Sequence, residues 1–140
     1  MAAAALVFGF CCTTAAAEPK PAPLDCKLGF EGIMDLVKRL PSAEVTETED
    51  WDMVKVDSAS KSENDWWIAQ HVFTKPQHYA YPTVTRRMIW KDASGAVLSE
   101  RSACGYGPKP QFEKVMREFE DLDRAMNEAI EKEHRQKTNP

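Results

Sequence analysis

Residues 65–104 read DWWIAQHVFTKPQHYAYPTVTRRMIWKDASGAVLSERSAC, and this stretch decides the fold. Apolar and polar residues alternate through three runs, 65–74, 83–90 and 96–104, as they do in half-buried β-strands. The connection 91–95 ends in a glycine that can adopt a positive φ, which is typical of a hairpin. Long runs with short breaks indicate an antiparallel meander.

One more strand and a helix precede this stretch. Residues 51–56 form a fourth β-like run. Apolar residues recur at three- and four-residue steps across 28–40, which predicts a helix that Pro41 ends. The acidic segment 41–50 is expected to be an exposed connection, with a short strand around Val45 as the alternative.

The clearest helical pattern lies near the C-terminal end. Its apolar stripe predicts an amphipathic helix that persists to about Glu133, followed by a polar tail. The stripe consists of Phe112, Val115, Met116, Phe119, Leu122, Met126, Ala129 and Ile130. We expect it to pack on the sheet, with Phe119 and Leu122 in the middle. The alternative is a heptad interface that packs against the same helix of a second copy or against a partner helix.

The fold class that follows is α+β. It is a four-stranded antiparallel meander, flanked by an N-terminal helix and packed against a long C-terminal amphipathic helix. With 140 residues, a single domain over 26–136 is expected, with a disordered tail over 137–140. The balance of 18 Lys and Arg against 22 Asp and Glu lacks the basic surface of a nucleic-acid-binding protein, and we expect a monomer.

The N-terminal segment predicts export. Residues 1–17 are uncharged and apolar and end in three alanines, as a signal peptide does before its cleavage site, although no basic residue precedes the apolar run. We expect cleavage near Ala17, a Pro-rich linker over 18–25, and a periplasmic or secreted chain without a membrane span. A buried N-terminal helix is the alternative. Phe10 before Cys11, and Cys11 before Cys12, fit a lipoprotein signal poorly.

Two cysteines lie beyond the leader, Cys26 and Cys104. In an oxidising compartment such a pair is predicted to form a disulfide. A free buried thiol or half of a metal site are the alternatives, but the chain has no CxxC pair. We therefore expect no metal and no cofactor.

A loop and the strand after it supply candidate ligand-binding residues. They are Lys75, His78, Tyr79, Tyr81, Arg86 and Arg87. Because neighbouring strand residues point to opposite faces, only one of the two arginines can join the other side chains. Such a surface would take an anionic or glycan-like ligand, or an envelope protein. The alternative is a rigid strand connection whose tyrosines cap the core.

The segment 73–82, FTKPQHYAYP, resembles small uncharacterised exported proteins of proteobacteria that carry an F-T-x-P-x-H-x-A-x-P pattern before a strand. The resemblance covers about residues 70–104 and implies export and paired strands, but no activity. The function expected from the sequence is therefore an exported, non-enzymatic binding or accessory protein. One alternative is a small inhibitor or toxin-neutralising protein that occludes a partner. Another is an enzyme with a site around His71, His78 and Arg86 or Arg87.

Overall fold

The computed structural model describes residues 20–58 and 65–138. The predicted signal peptide over 1–17 lies outside the described residues. A 3-10 turn, two helices and five strands follow one another as Cys26–Leu28, α1 Gly29–Lys38, β1 Glu44–Glu47, β2 Trp51–Asp57, β3 Trp67–Thr74, β4 Thr83–Lys91, β5 Val97–Gly105 and α2 Lys109–Thr138. The α+β class is as predicted.

The strands form one antiparallel meander in the order β1-β2-β3-β4-β5. The prediction of four strands is wrong: the short strand around Val45, given as the alternative, forms β1, pairs with β2 and places Val45 opposite Val54. All four β1 side chains are exposed, so this strand has no apolar alternation to reveal it. Thr48 closes the β1–β2 turn: the Trp51 amide donates to its Oγ1 at 3.1 Å.

The main core lies between α1 and one face of the sheet, which we call the α1 face. Phe30, Ile33 and Val37 recur at three- and four-residue steps along α1 and are all buried. They pack on alternate residues of the central strands, among them the fully buried Phe73. The Phe30 ring meets Phe73 edge-on, with ring centroids 5.8 Å apart. Alternate burial along β3 matches the predicted pattern.

The predicted disulfide is confirmed. Cys26 and Cys104 are bonded, with their Cα atoms 5.5 Å apart and a sequence separation of 78. The bond ties the start of the first helical turn to the end of β5. On the loop-entropy model, closing so long a loop stabilises the fold by about 4–5 kcal/mol.

Helix α2 lies on the opposite face of the sheet, which we call the α2 face. Val115 is buried there and Phe119 is partly buried, but Leu122 is 56% exposed, so its expected place in the core is wrong. The reason is electrostatic. Arg101 binds the Asp123 carboxylate through two hydrogen bonds of 2.6 and 2.7 Å, and this contact turns Asp123 towards the sheet in place of Leu122.

Helix α2 also ends later than predicted. It continues beyond Glu133 to Thr138, so the expected tail over 137–140 is helical at its start, while 139–140 lie outside the described residues. Two ion pairs across one turn, Glu131–Arg135 and Glu133–Lys137, favour this extension. Within the described ranges, neither helix has the length and apolar character needed to cross a membrane.

Candidate ligand-binding site

The six residues that the sequence nominated do not form one surface. Lys75 donates to the Thr48 carbonyl at 2.6 Å and lies 3.3 Å from an Asp52 carboxylate oxygen. Tyr79 stacks on His78, with centroids 4.5 Å apart, and donates from its hydroxyl to Glu118 of α2 at 2.5 Å.

The other three nominated residues lie elsewhere. Tyr81 packs against Phe30 in the core, with ring centroids 5.6 Å apart. Arg86 lies on the α1 face, whereas Arg87 lies on the α2 face, 3.6 Å from an Asp123 oxygen. The expectation that the two arginines point to opposite faces is therefore correct. Of the residues named for the enzyme interpretation, His71 and Arg86 come together, but His78 and Arg87 do not.

Arg86 and His71 form the floor of a cavity of about 350 Å³. The two residues face each other across β3 and β4 in the sheet register. The walls come from α1, its flanking turns and the segment 20–25, which we call the strap. Most of the lining is apolar, namely Leu24, Leu28, Ile33, Leu36, Val37 and Leu40, and Asp25 of the strap adds a carboxylate. A pocket with apolar walls and a few converging polar groups is the usual form of a small-molecule site.

The guanidinium of Arg86 is buried and only partly satisfied. The residue is 3% exposed, and its Nη1 donates to the Ala22 carbonyl of the strap. Among the described residues, its Nε and Nη2 have no hydrogen-bond partner. The nearest carboxylate, Glu100, stands 3.9 Å from Nη2, beyond hydrogen-bond distance. A buried cation with two unpaired donors is costly, and an acceptor that reached these buried atoms would relieve that cost.

His71 adds a neutral polar group to the same floor. The residue is 5% exposed, and its Nδ1 has no hydrogen-bond partner among the described residues. Burial, and secondly the positive charge of Arg86, lower the pKa of His71 to about 4, although a hydrogen bond with the Val54 backbone opposes the shift. At neutral pH, Arg86 is therefore the charged group of the floor, and His71 is an uncharged imidazole.

The strap forms one wall of the cavity and is fixed at both ends. At its start, the Lys20 ammonium lies 3.6 Å from the centroid of the Trp90 ring and 3.4 Å from Glu100. At its end, it runs into Cys26 and the disulfide. The sequence indicated an extended Pro-rich linker here, but not that the linker would return across the sheet and contact Arg86.

The residues that sequence reasoning missed are the apolar wall and the strap. A signal for the wall was present, because the helical segment carries Leu28, Leu36 and Leu40 in addition to the buried stripe of α1. Leu36 is 57% exposed, which is more than a side chain of the core would be. A helix with more apolar residues than its core contact needs is a sign of a second apolar contact.

The described part of the chain contains no group of three His, Cys, Asp or Glu side chains that could hold a metal ion. Comparison with protein-family models, with curated proteins and with solved structures finds no match to this chain.

Proposed function

We propose that the chain is an exported, non-enzymatic binding protein that takes a small, largely apolar molecule into the cavity under the strap. The observation that carries the proposal is the cavity itself: about 350 Å³, walled largely by leucine side chains, with Arg86 and His71, two buried residues that carry unsatisfied polar atoms, at its floor. Its volume lies near the lower end of the range for ligand pockets, which is about 300–1,000 Å³.

Two features support the export half of the proposal. The Cys26–Cys104 disulfide is the kind of cross-link that persists in oxidising compartments. The uncharged apolar leader with its three alanines has the pattern of a signal peptide. N-terminal sequencing of the chain made in a proteobacterial host is expected to begin at or near Glu18. A chain that keeps its leader and stays in the cytoplasm would contradict export.

Binding is tested with N-phenyl-1-naphthylamine, an uncharged dye whose fluorescence rises in apolar surroundings. We expect saturable enhancement with the purified chain. The Leu36→Glu variant, which replaces part of the apolar wall by a charge, is expected to lose most of it because dye bound there would have to displace water from a carboxylate. Leu122→Glu is the matched control: Leu122 is 56% exposed, like Leu36 at 57%, but lies on α2.

The control distinguishes dye binding in the cavity from non-specific dye binding to exposed apolar side chains. Equal loss of dye binding in both variants, or saturable binding in neither the parent nor the control, would refute the proposed pocket. Circular dichroism of each variant verifies that the fold is retained.

A further inference from the structure

We infer that the ligand of this cavity is a small amphiphilic acid, whose carboxylate binds Arg86 side-on and whose hydrocarbon tail lies along α1. The inference rests on the proposed function and names the chemistry of its ligand. It follows from which donors of Arg86 are free, from the charge balance of the floor and from the nature of the walls.

The free donors of Arg86 match a carboxylate. Its Nη1 is engaged by the Ala22 carbonyl, which leaves Nε and Nη2 without hydrogen-bond partners in the described part of the chain. These two nitrogens lie on the same edge of the planar guanidinium, and their N–H bonds point in parallel. A carboxylate accepts such a pair through both oxygens, an arrangement that a hydroxyl or an amide carbonyl cannot reproduce.

The charge balance favours a single negative charge. Arg86 is the cation of the floor, since His71 is neutral at pH 7, and Asp25 of the strap already adds one carboxylate to the lining. Glu100 offsets part of the Arg86 charge from 3.9 Å, but its carboxylate is also held by Lys20 at 3.4 Å. A monoanion can therefore be paired by Arg86, whereas a phosphate dianion would bring more charge than the floor can balance.

The walls define the rest of the ligand. Leu28, Leu36 and Leu40 line the cavity and keep 40–57% of their surface exposed, so apolar area is available to a tail that enters beside α1. Burying methylene groups on such a surface is favourable, whereas polar substituents on the tail would lose their hydration. The cavity thus combines one cationic point with an apolar channel, which is the complement of a medium-chain fatty acid.

The test compares headgroups on one tail. Calorimetric titration of the purified chain with decanoate, decanol and decylamine is expected to give an affinity for decanoate at least about tenfold above that for decanol, as charged hydrogen bonds contribute. Decylamine should not bind measurably. Across octanoate, nonanoate and decanoate, affinity should rise roughly fourfold per methylene.

Variants test whether the preference for the carboxylate headgroup depends on the Arg86 side chain. Arg86→Gln should lower decanoate affinity at least about tenfold and leave decanol affinity unchanged. Arg86→Lys, which keeps the charge but loses the paired donors, should fall between them. Arg87→Gln is the matched control, because Arg87 is equally buried but faces α2, and it should bind decanoate like the parent. In ¹⁵N-labelled chain, decanoate should shift the Nε–H resonance of Arg86.

The outcomes distinguish this inference from the proposal on which it rests. Equal affinity for decanoate and decanol, or an Arg86→Gln chain that binds decanoate like the parent, overturns the acid headgroup while dye binding in the cavity still stands. Absence of both decanoate and dye binding overturns the two together. If Arg86→Gln does not fold, the headgroup comparison on the parent and the Arg86 resonance decide the question.

Discussion

Acidification is expected to destabilise this fold through His71, in a pH range that its surroundings define. Burial and Arg86 lower its pKa from 6.5 to about 4 in the folded chain. Below pH 6.5 His71 is therefore protonated in the unfolded chain, whereas in the folded chain it stays neutral down to about pH 4. The contribution of His71 to folding stability is complete above the unfolded pKa and is lost as the pH falls through this interval.

The size of the loss follows from the two pKa values. One pKa unit corresponds to about 1.4 kcal/mol, so the His71 contribution between pH 7 and about 4.5 amounts to about 2–2.5 kcal/mol. That is a large part of the stability of a small domain, which is typically about 5–15 kcal/mol. Other groups also titrate in this range, so the prediction concerns the difference between the parent and a variant without His71.

Urea denaturation at several pH values measures this difference. The free energy of unfolding of His71→Asn should fall less between pH 7 and about 4.5 than that of the parent, by about 2 kcal/mol. His134→Asn, on the exposed end of α2, is the control and leaves the His71 contribution in place. Parallel pH profiles for the parent and His71→Asn would refute the neutral buried imidazole, whatever their absolute stabilities.

Three further predictions concern what holds the fold together. Cys104→Ser should lower the free energy of unfolding by about 2–5 kcal/mol, measured by denaturation without reductant, and a reduced parent that is as stable as the oxidised one would contradict this. Ile33→Ala, which empties a buried site of α1, should cost about 2–5 kcal/mol in the same assay, whereas Leu36→Ala on the exposed wall should cost far less. In the Asp123→Asn variant, α2 should be cleaved faster in limited proteolysis than in the Asp121→Asn variant, because Asp123 pairs with sheet arginines and Asp121 with a helix neighbour. Equal cleavage rates would argue against electrostatic docking of α2.

Local patterns were sufficient to predict most of the sheet. Alternation along β3, the hairpin glycine with φ +85° at Gly95, and the opposite directions of Arg86 and Arg87 all depend on neighbouring residues, and all are found in the structure. The predicted alternation of β4 is not found, because Thr83 to Met88 are buried on both faces. Strand β1 gave no comparable signal. Its side chains are exposed on both faces, so its place in the sheet depends on pairing with β2 and on the Thr48 turn.

The cavity and the rotation of α2 depend on contacts between distant parts of the chain. Ala22 and Arg86, which meet at the floor, are 64 positions apart, and Arg101 and Asp123, which orient α2, are 22 apart. Helical periodicity predicted that Leu122 lies in the core, because this pattern is defined by the positions of apolar residues alone. The pattern contains no information about the facing strands, which carry arginines and therefore favour contact with a carboxylate.

The two adjacent arginines of β4 also bear on strand alignment during folding. A slip of β4 by one residue would bring Arg87 to the α1 face and Arg86 to the α2 face, so each face of the sheet carries one of the two arginines in both alignments. The neighbours do distinguish them. The slip would replace Val84, fully buried on the α1 face, by a threonine, and would move Met88 out of the core. Alignment of this strand is therefore encoded by Val84 and Met88 rather than by the two arginines.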